Sequence, residues 1–317
     1  MTTLRIFFTT DLHGSDKCFM KFVNAGAFYQ ADAIIVGGDI TGKAIVPIVE
    51  TSKGFFEAKL FGSVKTARTS EETSELEKSL RTMGYYPYVT SQNELEELTR
   101  NELKKDQLFT RLMIEQVDRW IKIADERLKK TGIRCVMMPG NDDRLDIDQV
   151  FSRSDFVVNP EGKVLNLDKD HEMISSGYAN ITPWKCPRDM PEEKLGEKIE
   201  GMVSQVKNME RCIFNFHCPP YDSGLDSAPK LDDKFQPVMS SMGMVMVPAG
   251  STEIRKAIEK FQPMLGLHGH IHESRGIASI GRTLCINPGS EYTEGVLRGA
   301  IIVIEEKKVK NYLLTSG

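Results

Sequence analysis

Pro263-Met264-Leu265-Gly266-Leu267-His268-Gly269-His270-Ile271-His272 is a short apolar run that stops at three histidines set around a glycine. The run has the length and composition of a buried strand, and the polar groups arrive only where it ends. The same event recurs four times. Leu4 to Thr10 stops at Asp11-Leu12-His13, Ala33 to Val36 at Gly37-Gly38-Asp39, Arg134 to Met138 at Pro139-Gly140-Asn141-Asp142-Asp143, and Cys212 to Phe216 at His217. In open α/β sheets the loops leaving the carboxyl ends of parallel strands converge on one crevice, where ligands bind. Five strands that each finish in a ligand-type side chain therefore describe one site.

Between these runs lie amphipathic segments, Ser15 to Gln30, Glu192 to Val206 and Thr252 to Phe261, the last with Ser251 as its cap. Strand and helix alternate, which predicts a layered α/β fold with partly parallel sheets. Asp39 and Asn141 are 102 residues apart, whereas a strand-helix-strand unit needs about 30. The excess is read as an insertion at about 45–130 within a single domain spanning 1–317. It contains a hairpin, Ile45 to Phe61, turning at Ser52-Lys53-Gly54, a polar stretch, and a long helix from Asn93 to Lys130. In that helix Phe109, Met113, Val117, Trp120, Ala124 and Leu128 recur at three- and four-residue steps. Toward the end, Arg275 to Ile280, Thr283 to Asn287, Gly299 to Ile304 and Val309 to Leu314 read as an antiparallel meander.

Composition narrows the function classes. Of 317 residues, 40% are hydrophobic and 27% charged, ordinary values for a packed globular chain. The net charge of -4 disfavours a large nucleic-acid surface, and with it a nuclease. The N-terminus carries no signal-like or membrane-spanning stretch, and the six cysteines show no CxxC spacing. Free thiols, no membrane contact and a cytoplasmic location are expected.

Asp11, His13, Asp39, Asn141, His217, His270 and His272 offer two carboxylates, an amide oxygen and four imidazoles. Seven mixed nitrogen and oxygen ligands exceed one tetrahedral zinc and suffice for two adjacent cations with open positions. The two carboxylates cancel only half the charge of two dications, and the remainder suits a hydroxide and an anionic phosphate ester.

The order Asp11-x-His13, Gly38-Asp39, Gly140-Asn141, His217, Gly269-His270-x-His272 resembles that of the calcineurin-like metallophosphoesterases, over nearly the whole chain. Pro219-Pro220-Tyr221 and Asn287-Pro288-Gly289-Ser290 resemble the Icc-related branch. The resemblance implies a four-layer α/β/β/α sandwich of two mixed sheets, with the insertion largely helical. It implies that Asp11, His13 and His272 hold one ion, Asn141, His217 and His270 the other, and that Asp39 bridges. A metal-bridging water or hydroxide would attack phosphorus in line. Mn²⁺ or Fe is expected as the pair, with Zn²⁺, Ni²⁺ and Mg²⁺ as alternatives, and a small phosphate ester as substrate, a diester before a monoester. The rival from another class is a non-catalytic binding scaffold, in which the ligands would be lost first. Many relatives have Gly-Asn-His where this chain has Gly140-Asn141-Asp142. Asn141 and Asp142 are thus the catalytic candidates, and a histidine-dependent proton transfer is in doubt.

Other residues carry weaker signals. His171 reads as a surface turn and His268 as a supporting or structural group. Cys218 adjoins His217. Arg144 suits a phosphate oxygen or a salt bridge equally. Met239, Met242, Met244 and Met246 read as packing before substrate wall, and Tyr85, Tyr86 and Tyr88 as packing before base stacking.

Overall fold

The apolar runs become strands covered on both faces, so successive side chains enter different cores. In the strand Thr3–Thr9, Leu4, Ile6 and Phe8 enter one cluster and Phe7 another. Ala33–Gly37 divides likewise, with Ile35 opposed to Ile34 and Val36. The computed structural model describes residues 3–317 and has two six-stranded sheets. The first runs Lys308–Ser316, Arg298–Glu305, Thr3–Thr9, Ala33–Gly37, Arg134–Met138, Val157–Val158. The second runs Gly276–Ile280, Thr283–Asn287, Leu265–Leu267, Ile213–Phe216, Glu172–Ser176, Val164–Asn166. Each joins parallel and antiparallel pairs.

Three cores separate four layers. Leu4, Ile6, Phe8, Ile35, Val136, Met173, Ile213, Leu265, Leu267 and Ile286 fill the space between the sheets. Helices Asp16–Phe28 and Glu102–Leu128 cover the first sheet's outer face, and helices Glu192–Val203 and Thr252–Phe261 cover the second's. This is the expected α/β/β/α sandwich. No helix among the described residues is long and apolar enough to cross a membrane.

The 45–130 segment is more varied than the sequence suggests. Its hairpin, Ile45–Ser52 with Phe55–Leu60, is widened by Ser63–Ala67 and Tyr86–Ser91 into a four-stranded sheet, and the polar stretch includes the helix Ser70–Thr82. The long helix is broken at Asn101, whose side chain caps the backbone N–H of Lys104 and starts a new helix, Glu102–Leu128. That helix buries Met113, Val117, Trp120 and Ala124, and Trp120 stacks on Phe19 with ring centroids 4.3 Å apart.

Two expectations are corrected. The C-terminal strands form no single meander. Gly276–Ile280 and Thr283–Asn287 close the second sheet, and Arg298–Glu305 and Lys308–Ser316 the first. The turn after Asn287 crosses between the sheets, a step that strand periodicity does not reveal. His171 is buried rather than exposed, with Nδ1 2.9 Å from the Asp168 carboxylate and Nε2 2.8 Å from the carbonyl of Glu306. It ties the second sheet to the final hairpin.

The helix Thr252–Phe261 begins where Ser251 Oγ accepts from the N–H of Ile254 and donates to Glu192 at 2.6 Å. Losing such a cap costs about 0.5–2 kcal/mol. Ser251→Ala is expected to lower the unfolding free energy by that amount in denaturant titration followed by circular dichroism, and an unchanged free energy would show that Glu192 caps the helix alone.

Candidate metal centre

The loops that leave the first two parallel strands are laced together. Asp11 N donates to Gly38 O, His13 N to Asp39 O and Gly14 N to Ile40 O, each at 2.9 Å. The lacing extends strand pairing past the strand ends and forces unusual backbone. Asp11, His13, Asp39 and His270 have φ of 54°, 39°, 49° and 67°, a region that non-glycine residues visit rarely and at a cost. Glycine is required beside two of the candidate ligands. Gly38 has φ 129°, and a Cβ there would collide with the His217 ring. A Cβ on Gly140 would collide with Asp39.

All seven expected residues converge. Asp11, His13 and His272 present ligand atoms within 4.8 Å of one another, and so do Asp39, His217 and His270. The two groups touch: Asp39 Oδ2 is 3.6 Å from His13 Nε2 and 3.4 Å from His217 Nε2. Asp11 Oδ1 is 3.3 Å from His272 Nε2 and 3.8 Å from His217 Nε2. His13 and His272 bring their Nε2 atoms within 3.0 Å, and His270 Nδ1 lies 2.8 Å from Asn141 Oδ1. His217 Nδ1 is held 3.0 Å from the Gly37 carbonyl, while its Nε2 is buried with no hydrogen-bond partner. A buried imidazole oriented on one nitrogen and bare on the other, facing two carboxylates, fits a metal ligand.

The charges are locked together. Burial alone would raise the Asp11 carboxyl, but the imidazoles of His272 and His217 outweigh it and hold Asp11 well below the carboxylate range. Burial of Asp39 is overcome in the same way by His217 and His13. Burial would lower His217, yet Asp39 and Asp11 push it up to about 9. Asp11 likewise outweighs burial at His272 and raises it. Burial wins at His13, pressed down to about 3, and at His270, to about 4.

Residues that the sequence reading passed over hold this arrangement. Asp143 is fully buried, and its Oδ2 accepts from Ile40 N at 2.9 Å and Gly140 N at 2.7 Å. Its Oδ1 accepts from Thr41 N at 2.8 Å and from the Thr41 hydroxyl. One carboxylate thus clamps the Asp39 loop to the Asn141 loop. Asp189 accepts from Asn141 Nδ2 at 3.1 Å, which turns the amide oxygen toward His270. Arg188, also buried, supports the same loop through the carbonyls of Asp143 and Arg144. Asp142 receives Lys43 at 2.8 Å on one oxygen and the Cys186 thiol at 2.8 Å on the other. Tyr292 packs against His13, with ring centroids 4.7 Å apart. Only Asp143, adjacent to the Asn141 motif, carried a local signal.

The weaker candidates resolve. His268 is buried with Nδ1 2.8 Å from the Phe216 carbonyl, and its ring packs over Gly266, which fits a structural role. Cys218 is buried and donates to Asn180. Arg144 pairs with Asp106 and Thr110 in the long helix, the salt-bridge alternative. Tyr86 is buried, its hydroxyl accepting from Gly42 N and donating to Gln116, and Tyr88 donates to Glu94. Met239, Met242, Met244 and Met246 are exposed and enter no core, lying in a loop of very short strands that, among the described residues, pair with each other and with Ser227–Pro229.

No family model matches the chain. It is 30% identical over 178 residues to an uncharacterized protein of Methanocaldococcus jannaschii, MJ1162, a match covering 55% of this chain and 70% of that one. The crystal structure of TT1561 of Thermus thermophilus is similar with a TM-score of 0.55 and 14% identity, over 100% of this chain and 99% of the other. A further crystal structure has a TM-score of 0.59 and 17% identity over 99% of both chains. These structural likenesses concern the fold.

The Asp143 clamp is testable. Asp143→Asn would set an amide donor against backbone N–H groups, and each buried group left unsatisfied costs about 1–3 kcal/mol. The variant is expected to unfold at lower urea and to retain less metal than the wild type, read by denaturation and elemental analysis. Unchanged stability and metal content would show that the clamp is dispensable.

Proposed function

The chain belongs to one family with the Methanocaldococcus jannaschii protein, and from its resemblance to the calcineurin-like metallophosphoesterases and the geometry of its candidate ligands we propose that it is a metal-dependent phosphoric ester hydrolase with a binuclear centre. It is read as one domain with an insertion at 45–130, of the Icc-related branch, acting on a small phosphate ester in the cytoplasm. The observation that carries the reading is the contact of two ligand groups through Asp39, which lies within 4 Å of imidazoles from both. Asp11, His13 and His272 would hold one ion, Asn141, His217 and His270 the other, with Asp39 shared. When bound, Mn²⁺ or Fe, or in their place Zn²⁺, Ni²⁺ or Mg²⁺, would supply Lewis-acid polarisation of phosphoryl oxygens and a nucleophilic water at neutral pH.

The chain's own residues set what else can happen. Asp189 fixes the face that Asn141 presents. Asp142 stands in the place of the usual histidine with both oxygens engaged, by Lys43 and by a Cys186 thiol that burial and Asp142 push up to about 12. It is not arranged to give a proton to a leaving group, so esters with good leaving groups should be favoured. Lys43 and Asp142 cancel in charge. Two dications with Asp11 and Asp39 then leave two positive charges, which a hydroxide nucleophile and a diester monoanion neutralise, whereas a monoester dianion overshoots.

Asp39→Asn is expected to abolish activity and lower bound metal, and chelation to inactivate reversibly, with two metals per chain by elemental analysis of the wild type. His217 and His272 must shed protons to ligate, so metal uptake should release protons and affinity should rise as pH climbs toward about 9. Full activity in an exhaustively chelated sample would overturn the assignment. Nitrophenyl diesters should be hydrolysed with higher kcat/KM than matched monoesters, and the reverse order would overturn the diester preference alone.

A further inference from the structure

The loop from Asp39 to Lys43 is held at three successive N–H groups and at a carbonyl: Asp143 accepts from Ile40 and Thr41, Tyr86 from Gly42, and Ile40 O accepts from Gly14. Tyr86 is itself held by Gln116, which also donates to the Gly14 carbonyl. The insertion therefore braces the stem of the residue that follows, and Lys43 leaves this rigid base at the rim of both ligand groups. Its ammonium lies 2.8 Å from Asp142, whose own N–H donates to Asp39 at 3.0 Å. Its charge registers at His13, Asp39 and His272. The side chain is 48% exposed, so a ligand can reach it. An ammonium carries three donors, and Asp142 is its one hydrogen-bond or ion-pair partner among the described residues.

A half-exposed ion pair contributes little to folding, and Asp143, not Lys43, secures the loop. The placement has a clearer use toward substrate. A cation beside an acidic centre offsets Asp142 and offers free donors where a phosphoryl group would protrude.

We propose that Lys43 is a substrate-positioning residue whose ammonium donates to a phosphoryl oxygen of the bound ester while Asp142 holds the ammonium in place. The proposal rests on the phosphoesterase reading. It places a group that binds the phosphate at the root of the 45–130 insertion, just before it begins.

The test uses manganese-loaded full-length protein and inorganic phosphate as the probe, with affinity from calorimetry and metal content from elemental analysis. Lys43→Ala should weaken phosphate binding by at least ~10-fold, as expected for loss of a charge-assisted hydrogen bond, and leave metal content unchanged. Lys43→Arg should restore most of the affinity. In an Asp142→Asn background, where the amide oxygen still accepts from the ammonium but no longer attracts its charge, Lys43→Ala should still weaken binding, by a smaller factor. Phosphate affinity indifferent to Lys43, or an effect that vanishes once Asp142 is neutralised, would overturn the proposal and leave the phosphoesterase reading standing. Failure of the metal-loaded wild type to bind phosphate would overturn both.

Discussion

Two carboxylates, Asp11 and Asp39, are buried within 4 Å of the same imidazole of His217, and no lysine or arginine among the described residues pairs directly with either. Like charges in a low-dielectric interior are costly unless something of opposite sign is close by. Imidazoles meet part of that need, and the cations proposed for this site would meet more of it. The surrounding loops hold the carboxylates together against their repulsion.

The loops do so through backbone and buried acids more than through packing. Four of the seven candidate ligands have left-handed backbone, each a local cost of order 1–3 kcal/mol. The lacing of the Asp11 loop to the Asp39 loop offsets it, as does Asp143, which gathers three N–H groups and a hydroxyl onto one carboxylate. Asp189 performs the same service for the Asn141 amide. The supports are buried polar groups, each paired with specific partners, an arrangement that favours a single geometry.

The insertion changes the view of how such a centre is bounded. Gln116 and Tyr86, from a helix and a strand well away from the ligands in sequence, reach the carbonyl of Gly14 and the N–H of Gly42. The segment that lengthens the chain between Asp39 and Asn141 thus supports both the first ligand loop and the residue at its own root, Lys43.

The sequence by itself determined the apolar strands of the two sheets and the identity of the side chains that end them. Each of those facts is local: an apolar run, then a turn, then a side chain that binds metals, in an order that few folds share. Helix Thr252–Phe261 was legible for the same reason, since its Ser251 cap adjoins it. The tertiary structure alone decided the supports. Asp143 meets Thr41 across 102 residues and Asn141 meets Asp189 across 48, and no periodicity links such pairs. His171 shows the same limit, since its polar neighbours suggested a surface turn while its burial depends on Glu306, 135 residues away. So does Lys43, whose meaning comes from Asp142 on another strand's loop. Pairings of this kind are fixed only when separate strand ends are brought to one edge, where geometry and desolvation choose the partners.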